Sequence, residues 1–146
     1  MSSRRPTRLS PWQEGAVYVS LGLLAVSGLA WLSLDQWVRV AGEFGPERHP
    51  AEHIALIVHG IAAYGLLIVV GSLLPVHVQP GWRIGRNRGS GLVLGAVLII
   101  LTASALGLYY VGDEIARHWT SIAHWLVGLA LVPLLIFHAV AGYRGA

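Results

Sequence analysis

Cysteine and lysine are absent from the 146-residue chain, and its single methionine is Met1. Without cysteine the chain can form no disulfide, no thiolate ligation of an iron–sulfur cluster and no CxxCH attachment of haem. Without lysine it has neither the phosphate-binding lysine of a P-loop nor the amine of a Schiff base. Any haem would therefore be bound non-covalently, with histidine on one or both sides of the iron.

Charged residues are also scarce, at 12% of the chain against 55% hydrophobic residues, and the mean hydropathy is +0.63. A helix that crosses a membrane needs about 20 mostly apolar residues. Four segments meet this requirement: residues 15–34, 52–74, 89–111 and 119–143. The segments between them are rich in Gly, Pro and charge, which is typical of loops. The sequence thus predicts one all-α domain over residues 1–146, a four-transmembrane-helix up-and-down bundle in contact with membrane lipid.

The distribution of arginine predicts the orientation of this bundle. Basic residues precede the first span, lie between the second and third spans, and follow the fourth, whereas the other two loops hold most of the acidic residues. Because basic residues favour the cytoplasmic side, both termini are predicted to be cytoplasmic in a multi-pass protein of the bacterial inner membrane. No basic soluble face is present, so nucleic acid is not expected as a partner. The arginines on the predicted inner side are Arg4, Arg5, Arg8, Arg83, Arg86, Arg88 and Arg144.

The seven histidines are the residues best suited to carry chemistry in this chain. Two of them, His124 and His138, lie fourteen residues apart on the fourth span. At about 100° and 1.5 Å per residue, this spacing places the two imidazoles within about 40° of one face and about 21 Å apart along the helix axis. A ligating side chain inside a membrane span is costly, which makes it a functional candidate. One helix with two ligands at two depths predicts two stacked metal centres.

The same local pattern of histidines occurs twice. His53 precedes His59 by six residues, His118 precedes His124 by six, and the offset of 65 between the two pairs hints at a duplicated helix hairpin. Six residues turn a helix by about 600°, so the members of a pair lie about 120° apart and cannot both face one site. Because His124, unlike His118, shares a face with His138, we expect His124 to face the interior.

The second span offers an equivalent choice. His59 and His77 are eighteen residues apart, which is five whole turns, so they share a face that excludes His53. The second and fourth spans of an up-and-down bundle run in the same direction. His59 and His124 are therefore predicted to lie at similar depth near the outer surface, with His77 and His138 toward the inner surface.

The predicted inner pair is mismatched in height. Eighteen residues rise about 27 Å, whereas fourteen rise about 21 Å, so the two inner histidines differ by about 6 Å unless helix tilt absorbs the difference. Pro75 lies just before His77, and proline breaks or kinks a helix. Two interpretations of His77 stay open at this point: a haem ligand, or a loop histidine at the level of the lipid headgroups.

The stretch HWTSIAHWLVGLALVPLLIFH, residues 118–138, resembles the small bacterial four-helix b-type cytochromes. These include the domain of unknown function linked to protein flavinylation and the cytochrome subunits of hydrogenases and formate dehydrogenases. The likeness covers the second and fourth spans and the number of helices. It implies electron transfer between the quinone pool, or a cytoplasmic donor, and a periplasmic or membrane partner. Those subunits often use a first-span histidine for one haem, and here the first span has none.

The sequence therefore predicts a membrane b-type cytochrome that binds one or two haem b groups, with ligands drawn from His59, His124, His138 and His77. No constellation of nucleophile, base and oxyanion donors is visible, so an electron-transfer subunit is expected rather than a complete enzyme. Its redox partner is a protein or a quinone, and both homo- and hetero-oligomers stay open.

Two other functions are compatible with the sequence. One is a cofactor-free membrane anchor or assembly subunit, which leaves the buried histidines without a purpose. The other is a transition-metal binding or transport protein, which requires the outer histidines and acids to converge. Those residues are His49, His53, His118, Asp113 and Glu114.

Overall fold

The computed structural model describes residues 9–85 and 87–144, the last two as backbone only. Arg4, Arg5, Arg8 and Arg86, and the side chain of Arg144, lie outside the described residues, so the charge distribution that predicts the orientation is only partly covered. The described chain is mostly helical and divides into two compact units between His77 and Val78.

The first unit is a helical hairpin whose helices are joined by two short strands. Helix α1 spans Pro11–Trp37, strands β1 and β2 span Arg39–Gly42 and Gly45–Arg48, and α2 spans Ala51–Leu73. Helix α1 packs against α2 along its length. The close approach of Gly28 to His59 and of Gly65 to Ser20 shows that the two helices are antiparallel.

The start of α1 is determined by local chemistry. Pro11 occupies the first turn, where its missing N–H removes no helical hydrogen bond. The backbone N–H of Ser10 donates to Gln13 Oε1 at 3.2 Å. Gln13 is buried, so this polar side chain is satisfied at the point where the helix enters the apolar segment.

The strands correct the prediction of a loop in this region. Arg39 pairs with Arg48 and Gly42 with Gly45 in an antiparallel register, with a two-residue connection. Gly45 has φ of 125°, a conformation that favours glycine, and it allows the tight turn. The all-α prediction holds for the long segments and omits this hairpin because the turn depends on backbone conformation at a single glycine.

Ion pairs attach the strands to the ends of both helices of the first unit. Glu52, at the start of α2, is only 5% exposed and lies 3.7 Å from Arg39 and 3.5 Å from Arg48. Arg48 also lies 3.5 Å from Asp35 on α1. The two arginines are thus matched by two carboxylates, and this cluster has no excess positive charge to offer an anion.

The second span is longer than predicted. The helix that begins at Ala51 continues through a π-helical turn, Leu74–Val78, and a further α-helix, α3, at Gln79–Ile84, before Gly85 adopts φ of 76°. The sequence predicts a loop from Pro75 onward. A π-turn shifts backbone hydrogen bonds by one residue, which accommodates the N–H that proline lacks.

The second unit is another antiparallel hairpin. Helix α4 spans Arg88–Tyr110 and packs against α5, which spans Glu114–Arg144. Asp113 caps α5, because its carboxylate accepts a hydrogen bond from the Ala116 N–H at 2.7 Å. Pro133 lies inside α5 without ending it.

Among the described residues, four helical segments are long and apolar enough to cross a membrane: Pro11–Trp37, Ala51–Ile84, Arg88–Tyr110 and Glu114–Gly142. The shortest has 23 residues, and at about 1.5 Å per residue it exceeds the roughly 30 Å of a bilayer core. Large apolar side chains are widely exposed, which a lipid environment tolerates and water does not. These features indicate a multi-pass membrane protein. The buried hydrophobic residues are few: Val17, Ala55, Ala62, Leu66 and Leu131.

Candidate functional site

His124 is held by a serine of the neighbouring helix. It lies on α5, where it is half-buried, and its Nδ1 is 2.8 Å from Ser104 Oγ on α4. The Ser104 hydroxyl is also 3.1 Å from the carbonyl oxygen of Leu101 on its own helix. The imidazole of His124 therefore contacts α4.

His138 has the same arrangement fourteen residues further along α5. Its Nδ1 is 2.8 Å from Ser90 Oγ, and that hydroxyl lies 3.2 Å from the carbonyl oxygen of Asn87. The residue after Ser90 is Gly91, where an added Cβ would lie 3.7 Å from His138 Cε1. A contact at this distance is ordinary, so the position of the ring does not require a glycine here.

His59 repeats the arrangement in the first unit. Its Nδ1 lies 3.1 Å from Ser27 Oγ and 3.1 Å from the carbonyl oxygen of Leu24, both on α1. The Ser27 hydroxyl donates to the carbonyl oxygen of Leu23 at 2.6 Å. Gly28 follows Ser27, and an added Cβ there would lie 3.2 Å from His59 Cε1. Each unit therefore carries a histidine bonded to a serine of the adjacent helix.

The contact with a backbone carbonyl determines which ring nitrogen of His59 carries the proton. A carbonyl oxygen only accepts, so the contact with Leu24 requires a proton on Nδ1 of His59. A serine hydroxyl has one hydrogen, and when it donates to its own helix, Oγ accepts from the histidine. When the hydroxyls of Ser104 and Ser90 donate in this way, Nδ1 is the donor at His124 and His138; when they donate to Nδ1, the ring proton is on Nε2. In a neutral ring with the proton on Nδ1, the lone pair that binds a metal is on Nε2.

The three serines are not among the residues predicted from the sequence, although the sequence contains a signal for each of them. Ser90 and Ser104 are fourteen residues apart, the spacing of His124 and His138. In an antiparallel hairpin, one helix descends as the other ascends, so equal spacings on the two helices bring both pairs into contact. Ser27 also has a sequence signal, since it is followed by glycine, as Ser90 is.

The two histidines that the sequence predicts not to face the interior are His53 and His118. His53 and His118 are exposed, which confirms that the members of each pair differ in orientation. His49 accepts a hydrogen bond from the Ala51 N–H through Nδ1 at 3.1 Å, so it contributes to the start of α2. Within residues 9–85 and 87–144, no three His, Cys, Asp or Glu side chains are grouped to hold a metal ion.

His77 lies in the π-helical turn, not in a loop, and is half-buried. The prediction that it shares a face with His59 assumes an uninterrupted helix of 3.6 residues per turn. A π-turn breaks this repeat, so the premise does not extend to His77. Its role as a ligand stays a prediction.

One contact between a histidine and a serine occurs in both units. Ser27 with His59 and Ser104 with His124 have the same arrangement, although the serines are 77 residues apart and the histidines 65, because the connection between the two helices is shorter in the second unit. The offset of 65 places Leu73, not a histidine, at the position equivalent to His138. Contacts between histidine and serine are described for His59 in the first unit and for His124 and His138 in the second.

Comparison of the chain with protein-family models, with curated proteins and with solved structures finds no match.

Proposed function

We propose that this protein is a membrane b-type cytochrome that carries electrons through haem b bound by histidine. The observation that carries the proposal is the threefold contact between a histidine in an apolar helix and a serine of the adjacent helix. Ligating histidines in metalloproteins commonly donate their second ring N–H to an acceptor, which orients the ring. His59, His124 and His138 all have this bond, so the donor set fits haem.

The proposal assigns His59 and His124 to one haem. They occupy equivalent positions in the two hairpins, and the up-and-down bundle predicted from the sequence places them at similar depth near the outer surface. His138 is assigned to a second haem toward the inner surface, with His77 as its candidate partner. The haem supplies one-electron chemistry when it is bound. The chain supplies the ligating imidazoles, holds their orientation and surrounds them with apolar helices.

Cellular context follows from the same proposal. Both termini are proposed to be cytoplasmic and the membrane to be the bacterial inner membrane, because the arginines of the chain are concentrated on that side of the predicted bundle. The electron partner is proposed to be a quinone or a redox protein. A single 146-residue chain with no further catalytic constellation is proposed to serve as a subunit of an oxidoreductase system, in a homo- or hetero-oligomer.

The absorption spectrum of the full-length protein tests the proposal. Protein expressed with an adequate haem supply and purified in detergent is expected to show a reduced-minus-oxidised b-type spectrum and haem in a pyridine haemochrome assay. A haem-free preparation that contains bound transition metal would favour the metal-transport alternative. A preparation with neither haem nor metal would favour the cofactor-free anchor.

A second prediction concerns the space beside His59. Gly28→Ala would place a Cβ 3.2 Å from Cε1 and 3.4 Å from Nδ1 of the ring, so the ring must shift by a few tenths of an ångström. We expect faster haem loss from Gly28→Ala, by less than the roughly tenfold expected for loss of a ligand's hydrogen bond. Transfer of haem to apomyoglobin measures the rate.

Gly91→Ala is the matched control for Gly28→Ala. Its Cβ would lie 3.7 Å from His138 Cε1, an ordinary contact. We expect the rate of haem loss to be that of the wild-type protein. Equal rates in both variants would show that Gly28 does not determine the position of the His59 ring.

A further inference from the structure

We propose that Ser27, Ser90 and Ser104 are positioning residues that hold the proton of each imidazole on Nδ1 and so present Nε2 to the iron. This inference rests on the proposed cytochrome function. None of the three serines contacts the haem in this scheme; each acts through the histidine to which it is bonded.

The strongest observation is that the contact occurs three times with the same atoms. The distances from Oγ to Nδ1 are 3.1 Å for Ser27, 2.8 Å for Ser104 and 2.8 Å for Ser90. In every case the bond joins the first helix of a hairpin to the second. A packing coincidence between two apolar helices has no reason to select the same ring nitrogen three times.

The serines are themselves oriented by their own helices. Each hydroxyl lies within hydrogen-bond distance of a carbonyl oxygen three or four residues earlier, on Leu23 for Ser27, Leu101 for Ser104 and Asn87 for Ser90. Donation to that carbonyl directs an Oγ lone pair toward the opposite helix. A hydroxyl arranged in this way accepts from the imidazole, and the proposal is that this direction holds at all three positions.

The three histidines differ in the acceptors described for Nδ1 besides the serine. At His59 the carbonyl oxygen of Leu24 is a second acceptor at 3.1 Å, and no side-chain substitution removes a backbone carbonyl. Ser27→Ala therefore retains one acceptor for Nδ1. Ser104→Ala removes an acceptor at 2.8 Å from His124. We expect Ser104→Ala to increase the rate of haem loss more than Ser27→Ala does.

Haem dissociation from the full-length holoprotein provides the first measurement. Loss of the acceptor of a ligand's second N–H costs about 10–100-fold in affinity in other metal sites. We expect Ser104→Ala and Ser90→Ala to release a haem within this range faster than wild type, and Ser104→Thr, which keeps the hydroxyl, to retain it. Thr102→Ala is the matched control, because the Thr102 hydroxyl bonds only its own helix, at the carbonyl oxygen of Leu98.

Histidine ¹⁵N NMR of the full-length chain provides a measurement that a merely structural role would not change. We expect Nδ1 of His124 to be protonated in the haem-free wild-type protein and in Thr102→Ala, and to lose this preference in Ser104→Ala. Ser104→Cys, which keeps the side-chain size but offers only a weak acceptor, provides the same test if the alanine variant does not accumulate as folded protein.

The two measurements separate this inference from the function on which it rests. If the wild-type protein binds haem and Ser104→Ala changes neither the His124 tautomer nor the rate of haem loss, the positioning role is overturned and the cytochrome proposal stands. If the wild-type protein binds no haem, the cytochrome proposal and the role of the serines toward iron both fall. A changed tautomer together with faster haem loss supports both.

Discussion

Replacement of His124 by alanine is expected to remove one b-type haem from the protein, whereas His118→Ala is expected to leave the haem content unchanged. The two residues lie six positions apart on the same helix. His124 is bonded to Ser104 of α4, whereas His118 is exposed. Loss of an axial ligand removes the bond that holds a non-covalent haem in place, so the effect on haem content should be near complete for that site.

The equivalent pair on α2 provides an internal repeat of this experiment. We expect His59→Ala to remove the same haem as His124→Ala, and His53→Ala to retain it. Haem-to-protein ratios, together with reduced-minus-oxidised spectra, compare the four variants. Loss of that spectral component in His118→Ala with retention in His124→Ala would show that the wrong member of the pair has been assigned. Loss of different components in His59→Ala and His124→Ala would show that these two residues do not share a haem.

The second large effect is expected for His138→Ala, which tests the number of haems. An imidazole within an apolar helix requires a hydrogen-bond partner or a ligand to offset its burial. Ser90 satisfies Nδ1 of His138, as Ser104 does for His124. Because His138 and His124 have the same arrangement, we expect both to bind haem. The wild-type chain should then bind two haems and His138→Ala one.

The control for His138→Ala is His77→Ala, because His77 is the candidate second ligand of the inner haem. Loss of one haem in both variants would support their pairing. Loss in His138→Ala alone would leave the inner haem without a histidine from the π-helical turn. A wild-type ratio of one haem that is unchanged in His138→Ala would leave a single outer haem and contradict transmembrane electron transfer through this chain alone.

Much of the helical organisation is predictable because it depends on local chemistry. The four apolar segments coincide with four long helices, since a run of apolar residues long enough to cross a bilayer must satisfy its backbone hydrogen bonds internally. Two features of the connections were not predicted. The β1–β2 hairpin depends on the conformation of Gly45, and the continuation to Ile84 depends on a π-turn around Pro75. Both features depend on the backbone conformation of a few residues, which amino-acid composition does not predict.

The orientation of the candidate histidines was predictable for a related reason. The angle between His118 and His124, or between His53 and His59, follows from the geometry of a single helix. The structure confirms this contrast, because one member of each pair is bonded to the neighbouring helix and the other is exposed. The same reasoning does not extend to His77, because the helix between it and His59 is not regular.

The sequence by itself predicts four apolar helices and selects His59, His124, His138 and His77 as candidate ligands, because helix length and helical periodicity are properties of one segment. Three of these candidates, His59, His124 and His138, lie in α-helices. Only the tertiary structure decided that each of these histidines is bonded to a serine. A contact between Ser104 and His124 depends on the register of two antiparallel helices and on the length of the turn that joins them. Those quantities arise from packing between segments, and no single segment contains them.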